Sequence, residues 1–182
     1  LVVIFSFNAS ALTAFPLTGF TLDWYARLFA NESFWPALYN SLTVGFGVAV
    51  AATVVGLLAA LALARMEALR AQTLLDVLSA PMMLPALIIG IALLSFFVRT
   101  LSMSLGLHAV IMGQLVVIVP FVIALLHARL ANFDWPLVES ARDLGATPLV
   151  AFATITLPLI RPTLIGAALI ALSLSLDDFV IT

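Results

Sequence analysis

Residues 139–158 read Glu139-Ser-Ala-Arg-Asp-Leu-Gly145, nine further residues, then Ile155-Thr-Leu-Pro158, in a polar gap between two apolar stretches of membrane length. The local chemistry suits a short docking element. Asp134 can cap a helix whose first turn accommodates Pro136, since a missing N–H has no intrahelical partner there. Gly145 stops that helix by turning left-handed at low cost. Between them Leu137, Val138, Ala141 and Leu144 are expected to form one apolar stripe, with Glu139, Arg142 and Asp143 on the other side. Thr147-Pro148 then restarts a second helix. A short amphipathic helix, a glycine hinge and a second helix make a lever lying at a membrane surface.

Composition sets the surroundings. Hydrophobic residues make up 64% of the 182 residues and charged residues 9%, and the mean hydropathy is +1.26. Soluble domains carry about 25% charged residues, so the chain reads as an integral membrane protein. Cysteine is absent and every basic side chain is an arginine. Without cysteine there are no disulfides or thiolate ligands. Without lysine these residues cannot form a Gly-x-x-x-x-Gly-Lys-Ser/Thr phosphate loop. The net charge of −2 argues for neither nucleic acid nor an anionic partner. Leu1-Val-Val-Ile-Phe and Ile181-Thr182 are each read as lying inside an apolar run, so the expectation is a single membrane domain, 1–182, truncated at both ends.

Four apolar spans are expected at roughly 40–64, 77–98, 108–127 and 161–182, after the remainder of a first one. Each approaches the ~20 residues that cross ~30 Å of hydrocarbon. In lipid such spans must be helical, because no water is there to satisfy free backbone groups. Residues 8–35 are mixed, and Phe20, Leu22, Trp24, Tyr25, Leu28 and Phe29 have a spacing that suits a helix lying at the interface. The gaps at 65–70 and 128–161 hold Arg65, Arg70, Arg129, Arg142 and Arg161, against Arg27 and Arg99 in the opposite gaps. The excess places the first two loops in the cytoplasm.

Other residues carry weaker signals. Asp177 and Asp178 lie about sixteen residues, or ~24 Å, into the last span. Carboxylates at that depth are costly unless they meet a cavity or a partner. Two readings stand: the pair lines a path, or it caps and links helices near the outer face. Pro81, Pro85 and Pro120 interrupt their spans. Gly45, Gly47, Gly56, Gly90 and Gly166 suit close helix contact. Asp76 and Arg70 are expected to pair at the cytoplasmic mouth, and Arg99 to anchor at the interface. His108 and His127 have no second ligand at metal spacing, and no serine is accompanied by a His and an acid. No metal, cofactor or catalytic residue is expected.

The block at 139–158 resembles the cytoplasmic loop of ABC-importer permeases, Glu-Ala-Ala, three residues, Gly, nine residues, Ile-x-Leu-Pro. Glu139, Ala141, Gly145, Ile155, Leu157 and Pro158 match, and Ser140 replaces one alanine. Phe20-Thr-Leu-Asp-Trp-Tyr25, Asn40-Ser-Leu42 and Pro81-Met-Met-Leu-Pro85 follow the family order. Ser173-Leu-Ser-Leu-Asp-Asp-Phe-Val-Ile-Thr182 is similar to spermidine/putrescine permeases.

The resemblance implies an all-α polytopic bundle of the type I importer kind, with about five of six helices present, in a bacterial inner membrane. It implies a coupling loop, 128–161, in which Glu139, Ser140, Ala141, Arg142, Asp143, Leu144, Gly145, Ile155, Leu157 and Pro158 meet a separate ATPase subunit. The implied partners are two ATPase subunits, a second permease, a periplasmic or lipid-anchored binding protein and membrane lipid, with no nucleic acid. Asp177 and Asp178 become candidates for the path of a cationic polyamine. Another small solute, or an ion-gradient-driven transporter, are the competing readings. A membrane-embedded enzyme lacks a nucleophile–base pair to support it.

Overall fold

The computed structural model describes residues 2–10 and 19–178. Among them every regular element is helical, apart from one isolated antiparallel bridge between Asn8 and Phe20. The chain divides into two compact units, Leu1–Ser41 and Leu42–Thr182.

In the first unit, α1 (Val2–Phe5) is a single turn and α2 spans Asp23–Phe29. The expected interfacial helix is therefore limited to seven residues. Backbone bonds from Ala9 N to Gly19 O and from Thr21 N to Phe7 O, 2.9 and 2.8 Å long, hold the preceding chain as a bridge instead. Asn8 is 1% exposed, and its carbonyl accepts from Trp24 Nε1 at 2.9 Å. The Ser6 and Tyr25 hydroxyls are 2.6 Å apart. Phe29, Phe34 and Trp35 cluster with ring centroids 5.2–5.8 Å apart.

The second unit is a helical bundle. α3 (Phe34–Leu63) starts in the first unit and supplies the second from Leu42 onward. It is followed by α4 (Ala68–Ser79), which tightens into a 3₁₀ turn at Ala80–Met83, and by α5 (Ala86–Ser95), which ends in a π turn at Phe96–Thr100. Then come α6 (Leu107–Ala131), α7 (Trp135–Asp143), α8 (Pro148–Ala151) and α9 (Leu157–Asp177). A π turn at Phe152–Thr156 joins α8 to α9 without interruption.

Among the described residues three helices are long and apolar enough to cross a membrane: Phe34–Leu63, Leu107–Ala131 and Pro148–Asp177. The expected span at 77–98 is not one straight helix. Ala68–Met83 and Ala86–Thr100 meet at 94°, and Leu84 between them is extended, with φ −88° and ψ 146°. A residue before proline avoids the helical region, and Pro85 itself lacks the N–H that would continue the ladder. Pro120 has no such effect: α6 runs through it, and the proline is buried. Proline is tolerated there when neighbouring groups re-satisfy the freed carbonyl.

The core joins α3, α6 and α9. Val48 and Ala52 pack with Val122, Leu126, Ala167 and Ala171, all 1% exposed or less. Small residues set the approach. A Cβ on Gly56 would lie 2.5 Å from Val122, one on Gly47 3.1 Å from Ile111, and one on Gly45 3.0 Å from Leu172. Such contacts are what hold helices together where lipid is as apolar as leucine. Gly166 departs from that expectation, because a Cβ there would meet nothing within 4 Å.

Candidate functional site

The surface lever is built at the end of α6. Asn132 Nδ2 donates to Ala128 O at 3.0 Å, closing the helix. Phe133 is buried and its ring lies 4.9 Å from that of Trp135, which opens α7. Asp134 occupies the cap position, yet its side chain makes no capping bond. The capping target is the N–H of the second or third helical residue. Pro136 has none to offer, and the Leu137 N–H goes to the Asp134 backbone carbonyl at 3.3 Å.

α7 ends in a Schellman motif. Ala146 N donates to Ala141 O at 3.0 Å and Gly145 N to Arg142 O at 2.9 Å, which satisfies carbonyls that would otherwise be orphaned. Gly145 makes the turn with φ +92°. Thr147 Oγ1 then accepts from Val150 N at 3.4 Å and starts α8.

The expected apolar stripe divides in two. Val138 is buried and Ala141 half-buried against the core, whereas Leu137 is 46% and Leu144 90% exposed. Leu149, 76% exposed, extends this outward apolar surface onto α8. Glu139, Arg142, Asp143, Ala146 and Pro148 line a shallow depression of about 330 Å³, and Ser140 is exposed nearby on α7. The second half of the motif lies past the hinge. Ile155 packs half-buried against the core, Leu157 is half-buried, and Pro158 is the exposed second residue of α9. The lever thus offers polar and apolar groups outward while its inner face is anchored.

The lever is tied to the loop after α3, and the helices on either side of it are braced together. The Arg65 guanidinium lies 3.8 Å from the centroid of the Trp135 ring, which puts the loop after α3 and the start of α7 on one side. Arg129 Nη2 donates to Leu159 O at 3.3 Å, linking α6 to α9. The expected Asp76–Arg70 pair is absent. Arg70 Nε lies 3.5 Å from Glu67 Oε2, and Asp76 accepts from Gln72 Nε2 at 2.9 Å.

The acid pair lies at the other end of α9. Asp177 is its last residue and exposed; Asp178 follows, half-buried, in extended conformation with φ −80° and ψ 108°. Both line a cavity of about 360 Å³ together with Leu174. Its other walls are Val117 and Ile118 of α6 and the broken segment Pro81, Met82, Leu84, Ala86 and Ile89. Val117 and Ile118 stand near the middle of α6. The structure therefore brings together the acid pair and the Pro81–Pro85 motif, which the sequence had left as separate signals. Two helix C-terminal ends, that of α9 and that of the turn at Ala80–Met83, border this cavity. Each carries partial negative charge, whereas the N-terminal end of α5 at Ala86, which lines the same cavity, carries partial positive charge. The last four residues of the decapeptide, 179–182, lie outside the described residues.

Gln114 was passed over in the sequence. It is 0% exposed inside α6, and it meets Ser175, two residues before Asp177. The available signal was an amide isolated in an apolar run.

Comparison with known proteins adds the following. Residues 52–182 match the family described as binding-protein-dependent transport system inner membrane component. The chain is 34% identical over 164 residues to the spermidine/putrescine transport system permease protein PotC of Haemophilus influenzae, covering 90% of this chain and 63% of that protein. It is 35% identical over 188 residues to the putrescine transport system permease protein PotI of Escherichia coli K12, covering all of this chain and 66% of PotI. Against PotC of that organism identity is 32% over 182 residues, covering 68% of the relative. The chain spans between 63% and 68% of the length of these three relatives.

Proposed function

The chain belongs to the family of binding-protein-dependent transport system inner membrane components, and on that premise we propose that it is a permease subunit of an ATP-driven importer of polyamines. Its partners in this reading are two ATPase subunits below the membrane, a second permease beside it and a substrate-binding protein above it. The exposed surface of α7 and α8 docks on the ATPase, with Glu139 accepting from a basic or N–H group and Leu144 and Leu149 covering apolar surface. Closure of the ATP-bound dimer moves α7, and the anchored face carries that motion into α3, α6 and α9. Reversing a 99-fold bias between two states takes about 5.5 kcal/mol of differential stabilisation, a scale that binding two nucleotides can supply.

The cargo reading rests on one observation, the acid pair Asp177 and Asp178 on a cavity level with the middle of α6. Ionised groups at membrane depth belong at cavities and paths, and a polyamine brings the opposite charge. The relatives named for spermidine and putrescine transport support the same reading. Uptake of labelled spermidine into proteoliposomes tests it, using the natural full-length permease, its sister permease, ATPase and binding protein. Uptake that requires ATP and is competed away by unlabelled spermidine or putrescine is expected. ATP-dependent turnover without polyamine uptake overturns the cargo, and uptake indifferent to ATP overturns the transporter class.

A further inference from the structure

Gln114 is an amide placed in a fully buried position of an apolar helix, where an unsatisfied polar group is costly. Two of its hydrogen bonds reach Ser175. Gln114 Oε1 accepts from Ser175 Oγ, and Nε2 donates to the Ser175 carbonyl at 3.4 Å. Ser175 lies in the last turn of α9, where a helix's carbonyls run out of intrahelical donors. Gln114 thus acts as a cap supplied by a neighbouring helix. Just beyond it the backbone leaves the helix at Asp178.

The same face of α6 forms the cavity wall. Val117 and Ile118, three and four residues on from Gln114, share its side of the helix and line the space that holds Asp177 and Asp178. A turn more or less of α9 would move the carboxylates around the helix axis and along it.

We propose that Gln114 is a positioning residue: through Ser175 it fixes where α9 ends, and so where Asp177 and Asp178 stand in the cavity. This rests on the reading of that cavity as the polyamine path. The test uses the assembled full-length transporter with Gln114→Met, which nearly keeps the volume and removes the two bonds to Ser175. The KM for spermidine uptake is expected to rise by about five- to thirtyfold, the factor for one or two buried hydrogen bonds, with the yield of assembled complex unchanged. Gln114→Glu retains the acceptor for Ser175 Oγ and should fall between Gln114→Met and the parent. Ser175→Ala combined with Gln114→Met should be no worse than Gln114→Met alone, because coupled partners are not additive.

A second readout is independent of cargo. Residues 1–182 contain no cysteine, so Asp177→Cys gives a unique thiol within them for a cationic methanethiosulfonate. Its labelling rate should change several-fold when Gln114→Met is added, and an unchanged rate overturns the proposal. A loss of uptake that only tracks loss of assembled complex, with KM constant, also overturns it. If Gln114→Met does not assemble, Ser175→Ala takes its place in the thiol measurement under the same criterion. Should the parent complex take up no polyamine, the cargo reading fails while the thiol rate still decides the role of Gln114.

Discussion

The guanidinium of Arg65 sits 3.8 Å from the centroid of the Trp135 ring, joining the loop that follows α3 to the first residue of α7. Neither residue belongs to the loop motif, yet together they connect the lever to a helix that is remote from it in sequence. A cation over an indole contributes about 0.5–2 kcal/mol depending on how dry the site is. Trp135→Ala should therefore lower the amount of uptake per ATP hydrolysed several-fold while basal hydrolysis persists. Trp135→Phe should retain most coupling, because the ring face survives. Measuring uptake and phosphate release on the same proteoliposomes checks this; an unchanged ratio in Trp135→Ala removes the linkage.

Gly145 occupies φ +92° with nothing within 4 Å of where a Cβ would stand. The case for glycine is thus conformational only. Gly145→Ala should cost about 1–2 kcal/mol through the left-handed penalty, Gly145→Asn less, and Gly145→Val more. The midpoint of thermal unfolding of the detergent-solubilised complex should follow that order. Equal midpoints for Asn and Val would mean that the hinge relaxes to another conformation.

Glycines in the membrane core make the opposite case. A Cβ on Gly56 would come within 2.5 Å of Val122 Cγ1 and 3.1 Å of its Cβ. Gly56→Ala should destabilise by about 1–3 kcal/mol, the usual cost of overpacking. Gly166→Ala meets no neighbour and should stabilise by up to about 1 kcal/mol through helix propensity. Unfolding midpoints of the two variants moving in the same direction would contradict the packing described here.

The apolar spans and the lever were readable because they depend on local rules: length in hydrocarbon, proline at a helix start, glycine at a helix end. What failed needed three-dimensional information. Arg70 and Asp76 are six residues apart and fall on different faces of α4, whereas Glu67–Arg70 and Gln72–Asp76 have the three- and four-residue spacings that meet. Pro85 breaks its span and Pro120 does not, though both are prolines in apolar runs; what differs is the packing around them. Leu137 and Leu144 looked like core positions by composition. They are exposed because α7 has only nine residues and its inner face is filled by Val138 and Ala141. Depth along a helix was legible, but the partner across it was not, so Gln114 and Ser175 went unnoticed as a pair.

Glu139 is exposed on α7 and lines the outer depression with Arg142 and Asp143. Among the described residues no ion pair involves its side chain, so Glu139→Lys should insert and assemble normally. If α7 docks on the ATPase through this carboxylate, the reversed charge should reduce ATP-driven uptake by at least about tenfold, as 2–5 kcal/mol is the usual cost of breaking an interfacial charge pair. A charge reversal on the ATPase partner should recover part of it. Normal uptake by Glu139→Lys would remove the docking role.

Asp177 and Asp178 lie on one cavity but in different settings. Asp177 is exposed at the end of α9, while Asp178 is half-buried where the chain becomes extended. Asparagine preserves size and removes the charge. If the carboxylates receive an ammonium group of the cargo, each Asp→Asn change should raise the uptake KM by roughly ten- to a hundredfold, the range for a charge-assisted hydrogen bond worth about 1.5–3 kcal/mol. Asp177, the more exposed of the two, should act mainly on KM. Asp178, more enclosed by the protein, should also lower the yield of assembled complex. A structural role for both predicts a different pattern: yield falls, uptake falls with it, and KM per assembled transporter stays constant. Saturation curves for spermidine, normalised to assembled complex, separate the two, since only contact with the cargo moves KM in Asp177→Asn at unchanged yield.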